Sequence, residues 1–190
     1  GHRSVENGSG MRATPPKRRT LRAILALAAA STAGVGRAQS GTRVGAPARS
    51  PRRPRSHALP PAADLAADGA ASRERGIPVL LFFDRDDCPF CERALREYLV
   101  PMSGEAPWRD DALMRQVEVD RALPVTGFDG RATTHAALGA RYGVSLTPTV
   151  LVVDGAGSPL GDPVVGLLTA DFYGAYLDEA LRGGLAKLRR

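Results

Sequence analysis

The sequence is short of cysteine, histidine and aromatic residues. Its 190 residues hold two Cys, three His, one Trp, four Tyr and five Phe. Two cysteines exclude a miniprotein stapled by several disulfides and a four-cysteine zinc module. No metal is expected: zinc would need two ligands besides Cys88 and Cys91, and two of the three histidines, His2 and His57, fall in a stretch with no folding pattern. A covalent haem would need His after the second cysteine, and position 92 is Glu. A long hydrophobic run is also missing. The Ala-rich run over 23–36 has 14 residues, against roughly 20 for a membrane-spanning helix. Acidic residues are nearly absent from 1–61, where 12 Lys/Arg face Glu6 alone. The remaining residues carry 14 Lys/Arg and 19 Asp/Glu. The pI near 10 therefore belongs to the N-terminal stretch. No nucleic-acid partner is expected, because a phosphate footprint needs a folded basic surface.

What the N-terminal stretch does contain reads as an address. From Met11 to Arg22 runs a basic segment, then the apolar run over 23–36, then small residues with Ala33 or Ala38 as cleavage points. This is the pattern of a secretory signal. Arg18-Arg19-Thr20-Leu21 also fits a twin-arginine signal, and both routes stay open. A basic tail with an incidental Ala run is the competing reading. Residues before Met11 are read as an upstream extension. The domain reading is thus 1–38 for upstream residues and signal, 39–61 for a disordered Pro/Arg-rich linker, and 62–190 for one folded domain. The expected location is the periplasm, with no stable membrane insertion of the mature chain.

The folded part alternates helix and strand. A helix is expected over 62–75, stopped by Gly76, and a buried strand over 78–84. A second helix, 89–100, is stopped by Pro101. An irregular loop spans 102–112, a strand 116–120 and a loop 121–131. A helix over 132–142, a β-branched strand over 149–154, a turn at 155–157 and a weaker strand over 160–166 follow. A closing helix over 170–188 puts Phe172, Tyr176, Leu177 and Leu181 on one side. The class is α/β with a central mixed sheet flanked by helices. A first edge strand is missing or hidden near 55–60.

The chemistry concentrates at Cys88-Pro89-Phe90-Cys91. The motif follows a buried strand and opens a helix. A helix N-terminus carries unpaired N–H groups and about half a positive charge, which favours a thiolate at Cys88. Pro89 suits the first helical turn, where its missing N–H costs nothing. Cys91, one turn on, faces back toward Cys88. A Cys88 thiolate attacks a disulfide, and Cys91 then resolves the mixed disulfide. A static bridge is the competing reading, but a two-residue loop contributes little stability by chain entropy.

The strand leading into Cys-x-x-Cys, then Tyr142-Gly143-Val144, Leu146-Thr147-Pro148-Thr149 and Val165-Gly166-Leu167-Leu168, together resemble the thioredoxin superfamily over about residues 75–188. Within it, the likeness is to periplasmic thioredoxin-like proteins, including those associated with bacterial sulfur oxidation. The resemblance implies a thioredoxin fold with Cys88 and Cys91 catalytic. It implies that Pro148 follows a cis bond and packs on the cysteines, where an ordinary strand-start proline is the alternative. Thr147 would offer its backbone to an extended substrate. Gly166 would lie near the same face, or be a plain turn glycine. Pro89 and Phe90 would support the site.

The chain departs from the pattern at Phe82, where thioredoxin has a buried Asp. Proton transfer to and from Cys91 is then expected to use water or another carboxylate, with Asp84 the candidate. Asp86 and Asp87 flank Cys88 and oppose its ionisation. No glutathione-binding Gly-Gly-x-x-Asp follows Pro148. The expected activity is thiol–disulfide oxidoreduction, mainly reduction, with no cofactor beyond the Cys88–Cys91 disulfide. A polypeptide-binding or chaperone module and a dithiol oxidase are the alternatives. The partner is a disulfide-containing protein or a small thiol, an upstream membrane electron donor is compatible with this, and a monomer is expected.

Overall fold

The computed structural model describes residues 58–167 and 169–190. The stretch read as an export signal, most of the expected linker and Leu168 lie outside the described residues. The expected linker ends earlier than 61. Leu59 is buried, Gln116 donates its backbone N–H to Pro60 O, and Ala62 donates to Gln116 O, both at 2.9 Å. The hidden edge strand is this short parallel bridge, centred on Pro61 and Gln116. It also delays the first helix. Ala62 is held by the sheet, so α1 (Leu65–Arg75) begins after Asp64, whose carboxylate caps the Ala67 N–H at 3.0 Å. Gly76, at φ 63°, takes the left-handed position that ends α1.

β1 (Val79–Asp84) is buried along its whole length, as a central strand covered on both faces must be. β2 (Leu113–Glu118) pairs parallel to it, with Val79 opposite Leu113. β5 (Thr149–Val153) pairs antiparallel on its other side, and β6 (Val164–Val165) follows β5, giving the order β2-β1-β5-β6. β3 (Pro124–Thr126) and β4 (Ala132–Thr134) form a separate antiparallel hairpin. The remaining helices are α2 (Pro89–Ala94), α3 (Val100–Gly104), α4 (Trp108–Asp111), α5 (His135–Arg141) and α6 (Ala170–Leu188).

Alternation along β1 sorts the core into two layers. Leu80 and Phe82 pack with Cys91, Leu95 and the α6 residues Leu177 and Leu181. Val79, Leu81 and Phe83 pack with Leu65 of α1 and Leu138 of α5. Asp84 has the parity of Phe82, so it faces the cysteine layer.

Several expected boundaries shift for physical reasons. Pro101 does not stop the second helix. It has no N–H for the Glu97 carbonyl, and its ring would clash there in a regular helix. Leu95–Leu99 widens to π-helical spacing just before it, and helix resumes through Gly104. The expected loop 102–112 therefore carries α4 and buries Trp108. The expected helix over 132–142 starts only at His135, because Ala132–Thr134 pairs with β3 and Thr134 caps the Ala137 N–H. The second sheet strand runs over 113–118 rather than 116–120, its register set by β1. The strand expected over 160–166 shrinks to two residues, since Gly161 and Pro163 interrupt it. On α6 the buried face carries Tyr173, Leu177 and Leu181, while Phe172 and Tyr176 are exposed.

Candidate active site

Cys88 is the N-cap of α2, with extended backbone at φ −112° and ψ 93°. Its carbonyl accepts the N–H groups of Cys91 and Glu92 at 3.0 and 3.1 Å. Its sulfur accepts the Cys91 N–H at 3.2 Å. Pro89 fills the first helical turn. Cys88 and Cys91 are joined as a disulfide, with Cα atoms 5.2 Å apart. Cys88 is 7% exposed and Cys91 is sealed at 0%. The two cysteines are therefore unequally buried.

The residue entering the motif is unusual. Asp87 adopts φ 53°, a left-handed conformation that non-glycine residues seldom take and Asp and Asn take most easily. It turns the chain between the end of β1 and the helix, and leaves its carboxylate exposed beside Cys88.

Thr147 and Pro148 lie across from the motif. The Thr147–Pro148 bond is cis. The Thr147 carbonyl oxygen is 3.9 Å and its Oγ1 is 3.7 Å from Cys88 Sγ. Gly166, at φ 75°, donates its N–H to Pro148 O at 2.7 Å. That bond continues the pairing of β5 with β6, in which Thr149 stands opposite Val165. The structure thus brings Cys88, Cys91, Pro89, Thr147, Pro148 and Gly166 to one end of the sheet. Phe90 stands on the rim, 60% exposed. A cleft of about 230 Å³ opens beside Cys88, lined by Arg85, Asp87, Phe90, Val119, Leu146 and Thr147 among others. That is below the roughly 300 Å³ at which pockets for drug-sized ligands begin.

Behind the sulfurs, Asp84 is fully buried and accepts the Gln116 side-chain N–H at 2.7 Å. Gln116 Oε1 in turn accepts the Leu59 N–H at 3.2 Å. Gln116 was not legible as a site residue, because one amide in an alternating strand carries no signal. His135 has a structural environment. Its Nδ1 accepts the Glu118 N–H at 3.0 Å, and its Nε2 donates to Ala62 O at 2.8 Å. Among the described residues no three His, Cys, Asp or Glu side chains converge as a metal site would require.

A family model described as a thioredoxin-like domain matches residues 65–181. No curated protein sequence matches the chain. Among solved structures, a thioredoxin from Fasciola hepatica is similar at 18% identity, over 65% of this chain and 97% of that one, with TM-score 0.46. Mitochondrial thioredoxin 3 from Saccharomyces cerevisiae, in its oxidized form, is similar at 13% identity over 65% and 93%, with TM-score 0.45. The C-terminal domain of DsbD from Neisseria meningitidis, also oxidised, is similar at 25% identity over 65% and 99%, with TM-score 0.41.

Proposed function

The chain belongs to the thioredoxin-like domain family, and from that premise we propose that it is an exported thiol–disulfide oxidoreductase that reduces client disulfides through Cys88 and Cys91. The observation that carries the reading is the inequality of the two sulfurs at the head of one helix, beside Pro148.

In the reduced protein, the Cys88 thiolate attacks one sulfur of the client disulfide. The S–S bond breaks, and the other client sulfur leaves as a thiolate that takes a proton. Cys88 is then bound to the client. Cys91 loses its proton and attacks Cys88 Sγ. The second client sulfur leaves, and Cys88–Cys91 is oxidised. Two electrons have passed to the client, and an external dithiol donor restores the pair. Asp84, on the cysteine side of β1, is read as the acceptor of the Cys91 proton. The Thr147 backbone, whose carbonyl is 3.9 Å from Cys88 Sγ, is read as the group that pairs with an extended client.

Reduction rather than oxidation is favoured by the slim loops: 101–113 and 121–131 hold two short helices and one strand, with no inserted helical domain. The periplasmic location, and the kinship to sulfur-oxidation-associated proteins, rest on the sequence of residues 11–38 and on the motifs quoted above. The client is a protein or small-molecule disulfide, with a membrane-bound dithiol system as the class of donor.

The test is disulfide turnover by the full chain beside its Cys88→Ser variant, with a redox titration of the wild-type pair. Loss of turnover in the variant is expected, with a midpoint near −270 mV, the thioredoxin value. Turnover that survives Cys88→Ser overturns the reading. A midpoint near −120 mV reverses the direction.

A further inference from the structure

Nearly every basic side chain in the described residues has a partner. Arg73, Arg93, Arg115 and Arg182, for example, hold Gly155 O, Glu97, Asp68 and Asp178. Among the described residues, only Arg131, Arg141 and the C-terminal Arg190 have a basic side chain with no hydrogen bond, ion pair or ring contact. Arg131 and Arg141 line the same pocket, of about 210 Å³, where the β3–β4 hairpin meets α5. None of its lining residues belongs to the Cys88 cleft.

The chain builds this pocket from a tight hairpin and one helix face. Gly127 donates its N–H to Arg131 O at 2.8 Å, and Gly130, at φ 75°, donates to Gly127 O at 2.9 Å. Asp129 also lines the pocket, but its Oδ1 is engaged by the Arg131 backbone N–H at 3.1 Å and packs close to Gly127, where a Cβ would lie 2.9 Å from it. The carboxylate nearest in sequence thus fixes the backbone of Arg131 and leaves the guanidinium unpaired. Arg141 closes α5 one turn after Ala137, so the two share a face of the helix. Ala132, Ala137 and the buried Leu138 give the pocket an apolar lining, and Thr133 adds a hydroxyl.

We propose that this pocket binds a small dicarboxylate, with one carboxylate on each guanidinium and its short hydrocarbon body against Ala132, Ala137 and Leu138. Two unpaired cations around one pocket repel each other, and a dianion relieves that repulsion. Each guanidinium presents a planar fork of donors that matches a carboxylate. The apolar lining decides between anions. Phosphate would use the two guanidinium groups and leave the apolar surface without a partner, whereas a dicarboxylate uses both. The volume is below the roughly 300 Å³ at which pockets for drug-sized ligands begin, in keeping with a ligand of few atoms. The site uses neither cysteine, so the proposal stands apart from the oxidoreductase reading.

The experiment is an NMR titration of the full chain with succinate, with phosphate, and with sodium chloride at matched ionic strength. Succinate is expected to shift the backbone amides of 131–133 and 137–141 saturably, with a Kd of about 1 mM, the affinity of two charge-assisted contacts. Phosphate should bind about tenfold more weakly, the worth of the two CH2 groups it lacks. Arg131→Gln and Arg141→Gln, both at exposed positions, should each weaken succinate about tenfold, the loss of one charge-assisted contact. Asp129→Asn keeps an acceptor for the Arg131 N–H and removes a negative charge, so it should tighten succinate. Unchanged spectra of the free variants elsewhere show that the fold is kept. Shifts that follow succinate no differently from chloride, phosphate binding as tight as succinate, or an unchanged affinity in both Arg variants overturns the assignment.

Discussion

Gln116 donates its side-chain N–H to Asp84 Oδ2 at 2.7 Å while its own oxygen holds the Leu59 N–H at 3.2 Å. One amide thus ties the entering chain, β1 and β2 together beneath the disulfide. Gln116→Leu keeps the bulk and deletes both bonds, leaving a buried N–H to be satisfied. The expected cost is about 1–3 kcal/mol, read from the urea midpoint. A change under about 0.5 kcal/mol, the size of an ordinary surface substitution, would contradict it.

Asp84 is tested separately from its amide. Asp84→Asn retains the shape and removes the proton acceptor. Attack by Cys91 on the mixed disulfide is expected to slow about 100-fold, the lower range of general-base effects, with a flattened pH profile for that step. Stopped-flow measurement of client release reads it. Altered stability with an unaltered rate and pH profile would leave Asp84 only a structural part.

The unequal burial of the sulfurs sets a third expectation. Cys91→Ser removes the resolving thiol and leaves Cys88, the less deeply buried of the pair, to react. The variant should accumulate a covalent adduct with a peptide disulfide, visible as an added mass on intact-protein mass spectrometry. The adduct should be reversed by dithiothreitol and be absent from Cys88→Ser. An adduct on Cys91 in the Cys88→Ser variant, formed as fast, would show that the order of attack is wrong.

Asp87 combines a backbone role with a charge. Asp87→Asn keeps a residue that tolerates φ 53° and removes a negative charge next to Cys88. A like charge disfavours the thiolate, so its removal should move the iodoacetamide reactivity of reduced Cys88 to lower pH. Asp87→Val keeps the charge removed but sets a β-branched residue in the left-handed region, at a cost of about 1–2 kcal/mol. An unchanged reactivity profile in Asp87→Asn would mean that this carboxylate does not face the sulfur.

The elements that sequence made legible are those written in strong local patterns. The apolar run of β1 and the β-branched run of β5 are fully buried strands. Cys-Pro-Phe-Cys is recognisable because Pro89 and the preceding strand fix where the helix begins. What was illegible depended on partners distant in the chain. Ala132–Thr134 is compatible with helix until Pro124–Thr126 offers it a strand to pair with. Pro101 reads as a stop because widening of the preceding turn has no sequence mark. Phe172 and Tyr176 share helical spacing with Leu177 and Leu181, yet α6 turns Tyr173 inward beside Tyr98. The pocket lined by Arg131 and Arg141 was hidden for the same reason, since it forms where the β3–β4 hairpin meets α5.

Tyr173 provides the sharpest check on that packing. Its ring is enclosed and meets Tyr98 edge-on, with centroids 5.2 Å apart. Among the described residues its hydroxyl has no hydrogen-bond partner. Burial pushes the phenol well above its ordinary range, so it stays neutral. Tyr98, by contrast, donates its hydroxyl to Ala170 O at 2.7 Å. The two substitutions to Phe should therefore have opposite signs. Tyr173→Phe removes an unsatisfied buried hydroxyl and is expected to stabilise by about 1 kcal/mol, whereas Tyr98→Phe loses a made bond and should destabilise by about the same. Melting temperatures should separate by several degrees, since about 1 kcal/mol corresponds to roughly 2–8 °C in domains of this size range. A drop in both would mean that the Tyr173 hydroxyl is bonded within the cysteine layer, and the account of that core would have to be rebuilt around it.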